Sequence, residues 1–417
     1  MCRSGLNPDA GVQNEFEMSR RSDLNDRELL RMARKHGSIS RPEIARALGV
    51  SLPTATTLVK RLMACGVLVG HGQKPSEGGR PAGLLRVNPD HLYAVGIECS
   101  LIKVEAVLVN LAGEVLSRRT TDPVDSPQPE CVVEAICRMA DAVIADCPDK
   151  APGGMGVGIS GLVDADEGKS VRFPGTGPLD EIPVRDSLNR RYALPVFVAN
   201  DVQATTLAHL RYGIGRNVRN FIYLHIGHGI RLGIVTEGKL YEGATGKAGE
   251  LGHVTVVSDG PICYCGNYGC LESLAGPPAV VAQAREAILK GVETSIAEGV
   301  MNGSTSSRFH AVLAGARSGD RLVVNLLQKA GEHIGREVGN LVNILEPELL
   351  IIGGLPPGLA EPLVEVIEGR FRGVAMPALR DNVNIELSDS EHCSCSLGAG
   401  TFVFEEFFEG TLTGTDH

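Results

Sequence analysis

The stretch Gly249–Glu272, GELGHVTVVSDGPICYCGNYGCLE, decides how the rest of the chain is read. It places His253 ten residues before Cys263, with Cys265 and Cys270 close behind. Three thiols and one imidazole form a full tetrahedral set for a structural zinc ion, and Gly266 and Gly269 let the loop fold tightly around it. Free thiols or a disulfide are the alternatives. They are weaker, because cytosolic cysteines clustered with a histidine bind metal more often than they pair. Glu250 and Glu272 lie in the same stretch as charged groups with no obvious packing role.

Working outward, 417 residues exceed one typical core, so two or three domains are expected. The hydrophobic fraction of 43% is that of an ordinary globular protein. No apolar run approaches the ~20 residues that span a bilayer. The N-terminal segment lacks the apolar core of a signal peptide, and eleven cysteines outside a secreted context point to a reducing cytoplasm. Tryptophan is absent and aromatics make up only 4%, which removes the commonest platform for stacking a sugar ring. Charge is uneven: residues 1–90 hold 14 Lys and Arg against 9 Asp and Glu, whereas the whole chain carries −10. A basic head on an acidic body suggests nucleic-acid binding at the N-terminus.

Residues 1–21 are polar and aperiodic and read as a flexible arm. From Leu24 the pattern turns helical through Leu29, Leu30, Met32 and Ala33, ending at His36-Gly37. Ser40 then caps a helix with Pro42 in its first turn, and Ile44, Ala45 and Leu48 form its stripe. Gly49 makes a turn, and Ser51 caps a second helix running through Leu58, Val59 and Leu62. Two short helices joined by a glycine turn form the helix-turn-helix pattern, and residues 66–89 read as a two-stranded wing with Arg80 at its tip or return. Ser51, Pro53, Thr54, Thr56 and Thr57 suit close approach to base edges and phosphates, while Lys60, Arg61 and Arg80 suit the backbone or a minor groove. A hairpin used only for packing is the plainer alternative. These readings give a DNA-binding winged helix over residues 22–90.

From Tyr93 strands begin, with a hairpin signal at Asn110–Gly113. An amphipathic helix follows over residues 130–147 through Val133, Ile136, Met139 and Val143. GGMGVGISG reads as a buried strand ending in a glycine-rich loop, and PVFVANDVQATTLAHL as a strand running straight into a helix at Asn200-Asp201. Open α/β folds bind ligands at the carboxyl ends of their strands, though Asn-Asp there is also an ordinary helix cap. Another strand pair covers residues 221–241, helices cover 277–291 and 320–346, and a helix closes the chain from Ser396. The repeated order predicts an α/β body of two lobes, residues 91–200 and 201–417, the second holding the zinc loop and a C-terminal helix that returns to the first.

GELGH followed by CYCGNYGCLE, with an Asn-Asp strand end and a glycine-rich strand pair upstream, resembles the ROK family (repressors, open reading frames and kinases). The winged head followed by Gly78-Gly79-Arg80-Pro81 resembles its repressor branch, to which the xylose and N-acetylglucosamine repressors belong. The resemblance runs from about residue 24 to 408. It implies an actin-like, sugar-kinase-like (ribonuclease H-like) body of two α/β lobes with sugar in the cleft. It implies zinc on His253, Cys263, Cys265 and Cys270, and sugar contacts from Asn200, Asp201, Glu250, His253 and Glu272. With four protein ligands the metal has no open position, so the resemblance implies an anchor for the loop rather than a Lewis acid.

In the kinase branch Asp201 would be the general base that takes the sugar hydroxyl proton, and two glycine-rich turns would hold phosphates through backbone N–H groups. Both turns depart from the family pattern. The first reads Glu98-Cys-Ser-Leu-Ile-Lys103 where Asp-x-Gly-Gly-Thr-Lys is expected. The second reads Gly227-His-Gly-Ile-Arg-Leu-Gly233 where Gly-Thr-Gly-Ile-Gly-Gly-Gly is expected. Side chains stand where backbone must approach phosphate, so Mg-ATP is expected to bind poorly or not at all. Ser160-Gly161 replaces a common Pro-Gly, and Gly175 stands where many members have an asparagine near the sugar, so that Arg172 or Thr176 is the substitute contact. The expectation is a non-enzymatic, cytoplasmic regulator, a repressor that binds operator DNA as a homodimer or homotetramer and answers to a sugar or sugar phosphate. The alternative is an ATP-dependent sugar kinase that uses Asp201.

Overall fold

A computed structural model describes residues 24–74, 82–100, 103–122, 128–173, 181–303, 305–356, 360–389 and 392–410. The arm over residues 1–21, the wing tip with Arg80, and Gly175 and Thr176 lie outside the described residues.

The head opens with α1 (Leu24–His36), whose Leu29, Leu30 and Ala33 are buried. After β1 (Ile39–Ser40) comes α2 (Arg41–Leu48), where the Glu43 carboxylate accepts from the Ser40 backbone N–H at 2.9 Å and from its hydroxyl at 2.7 Å. Those two contacts, both accepted by Glu43, fix the start of the helix. Gly49 turns the chain with φ 65° into α3 (Leu52–Ala64), capped by the Ser51 hydroxyl oxygen, which accepts from the Thr54 N–H. β2 (Leu68–Lys74) and β3 (Ala82–Val87) pair antiparallel, and the three strands lie in the order β1-β3-β2. The head is a winged helix.

The first large sheet contains β4 (Tyr93–Cys99), β5 (Val104–Asn110), β6 (Val115–Thr121), β7 (Pro152–Ile159) and β10 (Val196–Asn200), ordered β10-β7-β4-β5-β6. α4 (Pro129–Asp146) follows β6, a small hairpin of β8 (Leu162–Asp164) and β9 (Lys169–Arg172) follows β7, and α5 (Val184–Tyr192) precedes β10. The β5–β6 turn falls at Asn110, whose side-chain oxygen accepts from the Ala112 and Glu114 N–H groups. The buried arc of α4 centres on Val132, Ile136, Ala140 and Val143. Val133 and Met139, which the sequence pattern put in the stripe, are only half-buried at its margin.

α6 (Asp201–Arg211) follows β10 with no residue between. Then come β11 (Phe221–Ile226), β12 (Ile230–Thr236), β13 (Lys239–Leu240), α7 (Leu271–Ala275), α8 (Pro277–Leu289), α9 (Ala297–Asn302), α10 (Thr305–Ser318) and α11 (Arg321–Leu345). β14 (Leu349–Gly353), α12 (Ala360–Val374), α13 (Pro377–Arg380), β15 (Asn384–Leu387) and α14 (Cys395–Glu409) complete the described chain. The second sheet runs β13-β12-β11-β14-β15, the same order as the first when each is numbered from its own first strand. In both, the first three strands are antiparallel; in the second, the fourth and fifth run parallel to the first. This is the expected repeated α/β body.

The chain divides into two compact units. One gathers the residues up to Val157 with Ile182–Val198 and everything from Ala399; the other holds Gly158–Glu181 and Ala199–Gly398. In the second unit, Val323, Leu326, Ala330, Ile334, Val338 and Val342 line one face of α11 and pack with Ile222, Leu224, Leu350 and Ile352 of the sheet. In the first unit, α1 meets α14. Arg31 and Arg34 pair with Glu409 and Glu405, Arg27 donates to the Gly410 carbonyl at 3.2 Å, and Arg34 lies 4.4 Å over the Phe408 ring. No helix among the described residues is long and apolar enough to cross a membrane.

Candidate functional site

The second unit assembles the metal-ligand stretch. His253 ends a short helical turn after Glu250, and the chain then loops through Cys263 and Cys265 to Cys270, the cap of α7. Gly269 has φ 63°, and a Cβ there would stand 1.6 Å from the Val257 carbonyl oxygen, so no other residue permits this return. A ring nitrogen of His253 and the three sulfurs all lie within 4.8 Å of one another, with Cys263 Sγ 3.6 Å from Nδ1 and Cys265 Sγ 3.7 Å from Cys270 Sγ. A tetrahedron built on metal–sulfur bonds of ~2.3 Å has edges of about 3.8 Å, so the donor set fits a four-coordinate ion. The same spacing is far too long for a disulfide.

Around this loop stand the expected sugar contacts. Asn200 caps α6: its Oδ1 accepts from the Val202 N–H at 2.9 Å and its Nδ2 donates to the Gly161 carbonyl at 3.0 Å. Both ends of the amide are therefore occupied, as the plain helix-cap reading required. Asp201, the first residue of α6, accepts from Val202 N–H through Oδ1 and from the Ser160 hydroxyl through Oδ2. Glu250 accepts from Arg231 Nη2 through Oε1, while its Oε2 lies 3.9 Å from His253 Nε2. Glu272 accepts from the Ile230 N–H at 2.9 Å. Burial raises the pKa of Glu272; that hydrogen bond, His253 and Arg231 work in the opposite direction.

Glu250, His253 and Glu272 thus gather beside the β11–β12 hairpin. Asp201 is linked to them electrostatically through His225, which stands opposite Arg231 across the hairpin. Burial holds His225 below its ordinary pKa, against the pull of Asp201 and with help from Arg231 and His228. Tyr264, which the sequence reading did not assign to the pocket, places its hydroxyl 2.9 Å from His253 Nε2, and the guanidinium of Arg172, a residue the sequence reading did name, lies 5.0 Å over the Tyr264 ring. Arg231 was legible only as a lost glycine.

Both departures from the phosphate-turn pattern have structural consequences. At the first turn, Ser100 N–H donates to the Lys103 carbonyl, and the Lys103 ammonium lies 3.2 Å from Glu98 and 3.1 Å from Glu105. At the second, Ile230 N–H is taken by Glu272, and Arg231 by Glu250. Backbone donors and cations suited to a nucleotide are already engaged.

On the head, Pro53, Thr54, Thr57, Lys60 and Arg61 are exposed on one side of α3, while Ala55, Leu58, Val59 and Leu62 are buried on the other. Ser51 is spent on the cap, and the Thr56 and Thr57 hydroxyls donate to the Leu52 and Pro53 carbonyls. Arg61 lies 2.5 Å from Asp26 of α1, whose side chain is 6% exposed. Arg61 therefore ties α3 to α1, and Lys60 is the freer cation of the two.

Residues 94–406 match the ROK family, and residues 22–69 match the winged helix-turn-helix DNA-binding family. The xylose repressor of Caldicellulosiruptor bescii is 29% identical over 371 residues, covering 88% of this chain and 92% of its own length. The N-acetylglucosamine repressor of Escherichia coli O6:H1 is 24% identical over 397 residues, covering 93% and 94%. Among solved structures, a ROK family transcriptional regulator homologous to the E. coli MLC protein superposes with a TM-score of 0.78 at 23% identity, covering 96% of this chain and 98% of its own, which attests the fold. A chain with this pocket, this head and a match over residues 94–406 belongs to the ROK family.

Proposed function

We propose that this protein is a sugar-responsive transcriptional repressor without kinase activity. Its winged helix binds operator DNA through the exposed face of α3, led by Thr54, Thr57 and Lys60. It acts as a homodimer or homotetramer on half-sites about one or two helical turns apart. A sugar or sugar phosphate is held by Asp201, Glu250, His253 and Glu272, with Asn200 positioning Asp201 from below. Zinc on His253, Cys263, Cys265 and Cys270 cross-links the loop that presents Glu250 and His253. Supporting this reading above all is the joining of a DNA-binding head to a sugar pocket whose phosphate turns are filled by the chain's own side chains. The sugar need only favour the DNA-free state by ~2–3 kcal/mol to lower occupancy one to two decades.

The test begins with DNA selected from a random pool by the purified, zinc-loaded protein. Anisotropy on the selected duplex is then followed while D-xylose, D-glucose, N-acetylglucosamine and their phosphates are titrated. One of them releases the DNA, and Asp201→Asn removes the release while leaving DNA affinity intact. Failure to select any duplex, or ATP-dependent phosphorylation of a sugar, would overturn the reading.

A further inference from the structure

In the pocket, each group expected to meet a sugar hydroxyl already has a partner within the chain. Ser160 donates to Asp201, Ile230 N–H to Glu272, and Arg231 to Glu250, and Tyr264 shares a 2.9 Å contact with His253 Nε2. Two of these partners are long side chains in exposed or half-buried positions that can swing away. Arg231 stands where the family pattern has glycine, across the hairpin from His225, and its pair with Glu250 is 18% and 28% exposed. Such a pair is screened less than one fully in water. Tyr264 lies between the two cysteines of Cys263-Tyr-Cys265 and is 61% exposed. With Nδ1 committed to a metal, a neutral His253 keeps its proton on Nε2 and donates it to the Tyr264 oxygen. The phenol oxygen then stands where a sugar hydroxyl oxygen would accept.

Resting on the sugar-pocket reading above, we propose that Arg231 and Tyr264 are internal competitors of the effector, occupying Glu250 and His253 until a sugar displaces them. They thereby set both affinity and selectivity. A sugar with a hydroxyl facing Glu250 must evict the guanidinium before it gains its own hydrogen bond. A sugar lacking that hydroxyl leaves the ion pair intact and strands no buried charge. Discrimination against the deoxy sugar is therefore blunted, whereas a bare carboxylate would penalise it heavily.

Calorimetry on the full-length, zinc-loaded protein tests this with D-xylose, D-glucose and N-acetylglucosamine, followed by the monodeoxy analogues of the tightest binder. Arg231→Gly restores the family's residue, Arg231→Met keeps the apolar stem without donors, and Tyr264→Phe keeps the ring without its hydroxyl. Metal content and Tm establish that each variant is folded. Both Arg231 variants should bind the parent sugar about tenfold tighter, the scale of one hydrogen bond to a charged group. The penalty for one deoxy position should widen by a similar factor, and Tyr264→Phe should move affinity in the same direction by less. Weaker binding in the Arg231 variants would mean that the guanidinium touches the sugar itself. Unchanged affinity with an unchanged deoxy penalty would mean that the pair does not compete. Either result overturns the proposal while the sugar reading stands, provided Asp201→Asn abolishes wild-type binding. Should no sugar bind wild type or any variant, the sugar reading falls and takes this proposal with it.

Discussion

His209, on α6, is 1% exposed, with Nε2 2.8 Å from the Ser388 hydroxyl and its ring 5.3 Å from Tyr223. Burial lowers its pKa from 6.5 to about 4, with Asp389 opposing the shift. In the unfolded chain the ring takes up a proton near pH 6.5, whereas in the folded chain it does so only near pH 4. The unfolded state therefore binds more protons across that window, and stability falls as pH drops through it, by up to about 3 kcal/mol. Urea midpoints between pH 7 and 4 should decline less steeply in His209→Gln than in wild type; parallel curves would refute the assignment. Any loss of metal from the Cys/His cluster as pH falls would be common to both proteins, so the difference between them isolates the histidine. Two neighbouring cations on α3 should also separate. Lys60→Ala should weaken binding to all DNA sequences alike and lower the slope of affinity against salt by about one ion. Arg61→Ala should chiefly destabilise the head, because it leaves the Asp26 carboxylate buried and unpaired.

The metal loop depends on a few positions along one element. Cys265→Ser removes a ligand, so bound zinc and Tm should both fall; metal analysis showing unchanged content would count against the site. Gly269→Ala drives a methyl into the Val257 carbonyl and should do the same with all four ligands intact. The Cys/His cluster was legible in the sequence because its four residues are close neighbours in the chain and its glycines mark the turns. The β11–β12 hairpin and the β10–α6 junction were legible from their apolar runs. Elements with no such signal were missed: β15 is four residues of exposed edge, α7 is five residues long, and α5 buries only Val184 and Leu188. The pairing of Arg231 with Glu250 was hidden for a different reason. Its partners sit 19 residues apart and meet only because β12 returns antiparallel beside the turn that starts at Gly249. Spacing reveals ligands on one loop; it does not reveal contacts that a sheet creates.

At the scale of the molecule, the head is fastened to α14 by charge. The Arg34–Glu405 pair is 20% and 22% exposed and is reinforced by the Phe408 ring, so it belongs at the upper end of the ~0.2–1 kcal/mol range of surface pairs. Arg34→Glu should lower hydrogen-exchange protection in α1 by about fivefold, and adding Glu405→Arg should recover most of it. No recovery in the double variant would mean that the pair does not hold the head. α14 also completes the sheet that begins at Tyr93. A Cβ on Gly156 would lie 1.8 Å from the Ala399 carbonyl oxygen, and one on Gly400 would lie 3.4 Å from Gly96. On the ribosome, the head and the strands β4 to β7 emerge before the second unit, yet the part of α14 from Ala399 that seats against them is translated after it. For most of its synthesis the N-terminal half therefore carries an uncovered apolar groove, the kind of surface that chaperones hold. A premature stop just before Cys395 should accordingly injure the DNA-binding half of the protein, and it also strips the Cys395 and Gly398 contacts from Gly158 and Ala204 beside Asp201. What is made first is finished last.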